Sequence, residues 1–257
     1  MIPLVDVHCH LLPGLDDGPE TWSQAIEMCR MAWDDGTRAI AATAHQNPRW
    51  PGVTPATIQH ATSELDRRLI DQGIPLSVYP TAEVMVGPDT EVDLQAGRLT
   101  TVSDQGCYLL IELPAGLFLD LRELVTNIAE AGVRPILAHP ERHPELLHGE
   151  DTINELIRRG CLVQVSAASI TQRCYPQLTS GLKQWVKRGI VHLIGSDGHS
   201  PQNRPPGISA AYERLAEWAD WGLADRVCSG NGMAVLEGLP LEIPRPLPAR
   251  RSWFSRR

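Results

Sequence analysis

The amino-acid sequence predicts an α/β fold in which parallel strands and helices form a seven-fold (β/α) barrel. Segments with the pattern of strands alternate about seven times with segments that have the pattern of helices. The strand segments are continuous apolar runs, as expected for strands that are covered on both faces. A length of 257 residues suits one such domain, which is one unit short of the eight-fold barrel. A doubly wound open sheet is the alternative arrangement.

The individual elements follow from apolar periodicity and from local start and stop signals. Thr21 and Gln24 form a capping-box sequence at the start of the first helix, and Gly36 ends that helix. We predict strands at residues 5–10, 39–43, 76–84, 108–113, 135–138, 161–166 and 190–194. We predict helices at residues 22–35, 55–72, 121–131, 151–159, 178–188, 209–219 and 224–236. The segment around Val92 is predicted to be a short helix or a loop.

The composition limits the class of protein. A formal net charge of −8 argues against a nucleic-acid-binding body. The sequence lacks an apolar run of about 18 residues, so no transmembrane segment is predicted, and it lacks the basic start of a secretory signal. Six scattered cysteines without a Cys-x-x-Cys pair predict a cytoplasmic protein without disulfides.

The last segment, residues 244–257, differs in composition from the rest of the chain. It holds five arginines and no acidic residue. We predict a disordered basic tail after a single domain at residues 1–243. A more specific hypothesis is a weak contact of this tail with acidic lipid or with a membrane-bound partner.

The end of the first strand predicts a metal site. His8 and His10 are two residues apart, so in an extended strand both imidazoles project from the same face. A Pro/Gly turn follows, and Asp17 can return from that loop to the same place. Imidazole nitrogens and a carboxylate oxygen form a donor set suited to a divalent metal.

Most other predicted strands also end in a residue that can bind a metal. In a (β/α) barrel these ends share one face. The further candidates are His45, Glu83, Glu112, His139, Asp197 and His199. Together the nine donors exceed what one ion takes, and the carboxylates would repel each other without cations. We therefore expect two or three divalent ions and at least one bridging carboxylate; manganese, iron and zinc all suit this donor set.

Two arginines near these strand ends suggest a phosphate-binding role. Arg142 follows His139 by three residues, and Arg204 lies in the loop after His199. A planar guanidinium beside a metal cluster is well matched to phosphate oxygens.

Four segments of the sequence carry a resemblance to a known family. They are His8-Cys-His-Leu-Leu-Pro-Gly-Leu-Asp-Asp-Gly-Pro19, Tyr108-Leu-Leu-Ile-Glu-Leu-Pro114, Ala138-His-Pro-Glu-Arg142, and Ser196-Asp-Gly-His-Ser200 with Arg204-Pro-Pro206. They resemble the polymerase-and-histidinol-phosphatase (PHP) superfamily, and in particular its bacterial protein tyrosine phosphatases of capsule and exopolysaccharide synthesis. The resemblance covers about residues 2–240 and implies a distorted seven-fold barrel with a trinuclear metal site.

The resemblance also implies how the donors are shared. By position, His8, His10, Glu83 and Asp197 resemble the ligands of one ion. Glu112 and His139 resemble the ligands of a second ion, which shares Glu83. Asp17, His45 and His199 resemble the ligands of a third. Arg142 and Arg204 match phosphate-contacting arginines. The chain departs from the family pattern at Ala44-His45-Gln46, where Pro-His-His is more usual.

The function expected from this resemblance is hydrolysis of protein phosphotyrosine by a metal-bound hydroxide. The implied partner is the tyrosine-rich tail of a membrane-bound polysaccharide-assembly kinase, which the phosphatase would regulate. Three alternatives remain at this level: a small-molecule phosphatase similar to histidinol phosphatase, a PHP-type nuclease, and a metal-stabilised binding module without activity.

Overall fold

The computed structural model describes residues 2–171 and 176–247. Within them, seven strands form a single sheet in which each strand pairs in parallel with the next along the chain. The strands are β1 Leu4–His10, β2 Thr37–Gln46, β3 Ser77–Met85, β4 Tyr108–Glu112, β5 Arg134–Ala138, β6 Leu162–Ser166 and β7 Leu193–Gly195. This sequential strand order differs from that of a doubly wound sheet, in which the order reverses at a switch point.

Backbone hydrogen bonds join the first strand to the chain that follows the last one. The His10 amide donates to the Gly198 carbonyl at 2.9 Å, and the Asp197 amide donates to the His8 carbonyl at 2.8 Å. These bonds bring the two edges of the sheet together into a nearly closed barrel. The predicted seven-fold barrel is therefore confirmed.

Helices cover the outside of the barrel and its N-terminal end. They are α1 Trp22–Asp34, α2 Pro55–Asp71, α3 Thr90–Gln95, α4 Arg122–Glu130, α5 Pro144–Leu147, α6 Glu150–Arg158, α7 Ala167–Thr171, α8 Pro176–Arg188, α9 Ser209–Trp218, α10 Trp221–Asp225 and α11 Asn231–Leu236. The Thr21 hydroxyl accepts a hydrogen bond from the Gln24 amide, as the capping sequence predicts. The segment around Val92, for which a short helix or a loop was predicted, is the short helix α3.

Several elements differ from those predicted: β2 extends over Thr37–Gln46 rather than residues 39–43, and the short helices α5 and α7 have no predicted counterpart. The seventh strand begins at Leu193 rather than at residue 190. Just before it, the ring Nδ1 of His192 accepts the hydrogen bond from the Val163 amide, so this amide does not pair with a backbone carbonyl of the seventh strand. The last helix is interrupted by a π-helical turn, Arg226–Gly230, between α10 and α11. Apolar periodicity does not distinguish such a turn from continuous α-helix.

Apolar side chains fill two separate layers. A larger layer lies between the sheet and the helices, and a smaller one fills the barrel interior. The interior includes Val5 and Val7 of β1 together with Val235 and Leu236 of α11. Helix α11 therefore covers the N-terminal end of the barrel, and the metal-ligand candidates are placed at the opposite end.

The C-terminal segment of the described chain lies against α8. The Leu247 amide donates to the Arg188 carbonyl at 2.9 Å, and Arg188 Nε donates to the Leu247 carbonyl at 2.8 Å. Residues 248–257, the greater part of the predicted basic tail, lie outside the described residues. Within the described part of the chain, no helix combines the length and apolar character needed to cross a membrane.

Candidate metal centre

Glu83, the carboxylate near the end of β3, lies at the centre of the predicted ligand cluster and is only 1% exposed. Its Oε2 atom lies 3.1 Å from His8 Nε2 and 3.2 Å from His10 Nε2. The same oxygen is 3.2 Å from His45 Nδ1, whereas Oε1 is 2.7 Å from His139 Nε2. One buried carboxylate thus contacts four imidazoles that come from the ends of three strands.

The rings of His8 and His10 are oriented so that their Nε2 atoms face each other. Nδ1 of His8 lies 3.0 Å from Gln164 Oε1, and Nδ1 of His10 lies 2.7 Å from Asp16 Oδ2. Both partners are acceptors, so in the neutral rings Nδ1 carries the hydrogen and Nε2 carries a lone pair. The two Nε2 atoms are 3.2 Å apart and both face Glu83 Oε2. These atoms repel one another unless a cation lies among them, so the donor set fits a divalent metal ion.

The second half of the cluster is formed around Asp17. Its Oδ1 atom lies 3.4 Å from His45 Nε2 and 3.7 Å from His199 Nε2. His199 donates from Nδ1 to the Asp197 carbonyl at 3.0 Å, which leaves its Nε2 unprotonated. His45 Nδ1 is 3.2 Å from Glu112 Oε1 and has no hydrogen-bond partner within the described chain. These atoms are also placed as metal ligands would be.

All nine predicted ligands are brought together. They form four overlapping groups whose candidate ligand atoms lie within 4.8 Å of one another: His10, Asp17, His45 and His199; His8, His10 and Asp197; His8, Glu83 and His139; and His45, Glu83 and Glu112. Glu112 groups with His45, whereas its Oε2 atom is 3.9 Å from His139 Nε2. The family resemblance pairs Glu112 with His139 instead, so the geometry of the side chains divides the donors slightly differently.

Two of these ligand candidates have a left-handed backbone conformation. The φ angle is 35° at His139 and 54° at Asp197, a conformation that residues other than glycine rarely adopt. Each amide is nevertheless held by a hydrogen bond of 2.8 Å, from His139 to the Gln164 carbonyl and from Asp197 to the His8 carbonyl. Backbone strain that the surrounding structure maintains is typical of functional sites.

Arg142 and Arg204 meet at one carboxylate oxygen of the cluster. Both guanidinium groups donate from Nη2 to Asp197 Oδ2, Arg204 at a distance of 2.6 Å. Each arginine side chain is about half exposed, at 43% and 45%. They line a cavity of about 220 Å³ next to the metal-ligand cluster, together with Ser166 and Ser196. The predicted phosphate-binding arginines therefore converge beside the predicted metal ligands.

The electrostatic environment favours ionised carboxylates and opposes the loss of protons from two of the imidazoles. Burial lowers the pKa of His8 and His10, but Glu83 raises that of His8, and Asp16 raises that of His10 well above its ordinary value. Burial raises the pKa of Glu83, but the facing imidazoles, His8 foremost, lower it well below its usual range. Burial likewise opposes ionisation of Asp197, and His8 and Arg142 hold its pKa well below the usual value. Burial lowers the pKa of His199 to about 3. Ionised carboxylates and neutral imidazoles are the forms that bind metals, so metal binding would displace protons from His8 and His10.

Asp16 is a functional residue that the sequence analysis did not identify. Its Oδ2 atom accepts hydrogen bonds from His10 Nδ1 and from the His45 amide at 2.8 Å, and its Oδ1 atom accepts from the Gly18 amide at 2.9 Å. Despite burial, the neighbouring His10 lowers the pKa of Asp16 to about 2. Asp16 therefore orients two ligand residues and the loop that carries Asp17. The Asp-Asp pair was the available signal, but it does not show which aspartate faces the metals.

Asp6 and Gln164 support the site from outside the ligand cluster. Asp6 Oδ1 accepts hydrogen bonds from the His8 amide at 3.1 Å and from the Ser196 amide at 2.9 Å. It thereby fixes the ends of β1 and β7, which carry ligands. Burial raises the pKa of Asp6 to about 6. Gln164 lies on β6, a strand for which the sequence analysis proposed no ligand, and orients the His8 ring.

The family model for capsular polysaccharide synthesis, CpsB/CapC, matches residues 4–237. The chain belongs to the CpsB/CapC family. The matched region contains all nine ligand candidates and both arginines, whereas residues 238–257 lie beyond it.

Named relatives of this CpsB/CapC chain are tyrosine-protein phosphatases. The tyrosine-protein phosphatase YwqE of Bacillus subtilis is 33% identical, over 78% of this chain and 79% of the relative. The putative tyrosine-protein phosphatase CapC of Staphylococcus aureus is 26% identical and covers 98% of this chain and 99% of its own. The tyrosine-protein phosphatase CpsB of Streptococcus pneumoniae is 26% identical over 83% of this chain and 90% of its own.

Solved structures agree with this family assignment. A crystal structure from work on YwqE and on CpsB of S. pneumoniae, described as unique metal-dependent tyrosine phosphatases, matches with a TM-score of 0.88 and 30% identity. It covers 96% of this chain and 100% of the matched chain. Dihydropyrimidinase from Brevibacillus agri matches with a TM-score of 0.55 at 12% identity, which shows a likeness of fold alone.

Proposed function

We propose that this CpsB/CapC protein is a metal-dependent protein tyrosine phosphatase. The observation that carries the proposal is the facing pair of Nε2 atoms on His8 and His10, which meet Glu83 Oε2 beside two convergent arginines. Its relatives YwqE and CpsB, which are tyrosine-protein phosphatases, support the same activity.

Two or three divalent ions fit the donor set of the barrel mouth. Nine residues would hold them: His8, His10, Asp17, His45, Glu83, Glu112, His139, Asp197 and His199. Glu83 would be shared, because its Oε1 faces His139 of one ligand group and its Oε2 faces His45 of another. Manganese is the ion we propose first, and iron and zinc suit the same ligands. When bound, such ions supply Lewis acidity, which lowers the pKa of an attacking water and neutralises phosphoryl oxygens.

Arg142 and Arg204 would bind the phosphoryl group of the substrate. A guanidinium has five N–H donors in a planar fork, and the hydrogen bond to Asp197 uses one of them in each arginine. The remaining donors are available to phosphate oxygens in the adjoining cavity. Asp197 fixes both side chains, so the two positive charges are in place before the substrate arrives.

The substrate that we propose is a phosphotyrosine protein, and in particular a membrane-bound polysaccharide-assembly kinase that this phosphatase regulates. The family description, capsular polysaccharide synthesis, supports this setting. We further propose that the enzyme works in the cytoplasm. Cys9, Cys29, Cys107, Cys161 and Cys228 are free thiols, which supports a reducing environment for the described part of the chain.

The test compares substrates and metal states in one series. Purified protein should hydrolyse O-phosphotyrosine and a phosphotyrosine peptide, lose this activity after chelation, and regain it when Mn²⁺ is added. Histidinol phosphate and a DNA substrate serve as comparison substrates. Faster turnover of histidinol phosphate than of the peptide, or full activity in metal-stripped protein, would contradict the proposal.

A further inference from the structure

Gln46, which stands where the family pattern more often has histidine, connects three segments at the end of β2. It follows the ligand candidate His45 but is 7% exposed and points away from the metal cluster. Its Oε1 atom accepts the Thr100 amide hydrogen bond at 2.8 Å. Its Nε2 atom donates to the Val53 carbonyl at 3.2 Å and to the Arg98 carbonyl at 3.3 Å. One buried amide thus fixes the loop before α2 and the chain after α3 relative to β2.

A cavity of about 290 Å³ lies between these segments. Its walls include Gln46, Trp50, Val84, Met85, Asp89 and Arg98. The cavity shares the barrel rim with the metal-ligand cluster, since Gln46 follows His45, Val84 follows Glu83, and Met85 is paired in register with Glu112.

We propose that this cavity binds an apolar residue next to the phosphotyrosine of the substrate, and that Gln46 is the positioning residue that maintains its walls. The proposal rests on the proposed function. It names a second binding site on the enzyme, separate from the two-arginine cavity at the ends of β6 and β7.

The choice of occupant follows from the position, size and chemistry of the cavity. Because its walls include the residues that follow His45 and Glu83, we expect the chain on one side of a bound phosphotyrosine to reach it. Its volume suits one or two side chains and is small for a folded partner. Trp50, Val84 and Met85 form apolar walls. Arg98 is neutralised by a hydrogen-bonded contact of 2.8 Å with Asp93, and Asp89 is exposed to solvent. An uncharged, apolar side chain is therefore the complementary ligand.

The test uses three substrates: free O-phosphotyrosine, a pentapeptide with leucine on both sides of phosphotyrosine, and the same peptide with glycine at both positions. Burial of an apolar side chain in a pocket of this kind changes kcat/KM by about tenfold between two substrates. Wild type should therefore prefer the leucine peptide over the glycine peptide by about that factor, through a lower KM. Trp50→Ala removes an apolar wall without changing the hydrogen bonds of Gln46. Gln46→Ala releases both flanking segments, and Gln46→Glu retains the acceptor for Thr100 but loses both donated bonds.

We expect Trp50→Ala and Gln46→Ala to lose the preference for the leucine peptide, while their activity on free O-phosphotyrosine stays within about twofold of wild type. Gln46→Glu should show a preference between those of wild type and Gln46→Ala. Bound metal should be unchanged in all three variants. Gln59→Ala, on the exposed face of α2, is the matched control. A labelled leucine peptide with a non-hydrolysable phosphonate in place of the phosphate gives the binding constant without turnover, and its Kd should rise about tenfold in Trp50→Ala.

The results separate this inference from the proposed function. If wild type hydrolyses O-phosphotyrosine but the leucine preference is absent, or persists in Trp50→Ala, the cavity does not bind the flanking residue. If the variants lose activity equally on all three substrates, Gln46 acts on the metal centre instead. Failure of wild type to hydrolyse any phosphotyrosine substrate contradicts the proposed function and, with it, this inference.

Discussion

The Asp16 carboxylate lies 2.7 Å from Nδ1 of His10, on the side of the imidazole that faces away from Glu83. This contact determines the tautomer of His10 and directs its Nε2 lone pair into the cluster. Because Asp16 also accepts the His45 amide hydrogen bond, it connects the loop after β1 to the end of β2. The arrangement would suit a carboxylate–histidine–metal triad in which His10, and not Asp16, binds the metal.

Asp16→Asn should therefore weaken metal binding although it removes no proposed ligand. An amide in this position is a weaker partner for the His10 ring and can present a donor where an acceptor is needed. We expect metal affinity to fall by about 10- to 100-fold, the usual cost of losing such a support. Metal titration of stripped protein measures this, and Glu20→Gln, in the same segment but exposed, is the control. Unchanged affinity in Asp16→Asn would contradict the positioning role.

Glu83→Ala should reduce metal content more than His199→Ala. Glu83 oxygens lie close to four imidazoles and belong to two of the ligand groups, whereas His199 belongs to one. Removing a shared carboxylate leaves more than one ion under-neutralised. Elemental analysis after gel filtration should show lower metal-to-protein ratios for Glu83→Ala, with circular dichroism confirming that both variants fold. Equal metal content in the two variants would show that Glu83 is not shared.

Arg204→Ala should reduce activity and leave the metals bound. Its side chain contacts Asp197 and the cavity, whereas the hydrogen bond from the His199 amide is made to the Arg204 backbone carbonyl and survives the substitution. We expect kcat/KM on an aryl phosphate to fall by about 100-fold, or about 2.7 kcal/mol in the barrier. Arg204→Lys should recover only part of this loss, because lysine keeps the charge but not the planar fork.

Arg30→Ala, on the exposed side of α1, is the matched control for the arginine variant. Metal analysis of Arg204→Ala accompanies the kinetics. A variant with normal metal content and wild-type kcat/KM would rule out a phosphate-binding role for this arginine.

The sequence predicted the barrel and the convergence of the nine donors because both depend on local periodicity. A strand repeats every two residues, so the shared face of His8 and His10 can be read directly, and parallel strands bring their ends to one rim. Asp16 and Gln46 were not predicted as supports, because their partners lie up to 54 residues away and depend on how separate loops pack. Likewise, a sequence pattern does not reveal a left-handed backbone at His139.

The remaining prediction concerns Cys9, which lies between two metal-ligand candidates and invites comparison with cysteine-dependent tyrosine phosphatases. Those enzymes need a thiolate and an arginine six residues later, but the residue six after Cys9 is Leu15. The side chain of Cys9 is fully buried in the outer apolar layer, on the opposite face of β1 from the imidazoles. Its Sγ atom donates to the Gly198 carbonyl at 3.6 Å. Burial raises the pKa of this thiol well above its ordinary value, so it stays protonated and unreactive at neutral pH.

Cys9→Ser should therefore keep kcat/KM on O-phosphotyrosine within about tenfold of wild type, or about 1.4 kcal/mol in the barrier. Serine can donate to the same Gly198 carbonyl, so the barrel closure near β7 is retained. Cys107→Ser, at a half-buried thiol away from the ligands, is the control for loss of a cysteine as such. A thiol alkylator should inhibit wild type far less than a chelator does. Loss of activity in Cys9→Ser with its metals still bound, or inactivation by the alkylator as complete as by the chelator, would mean that the thiol and not the metal centre attacks phosphorus.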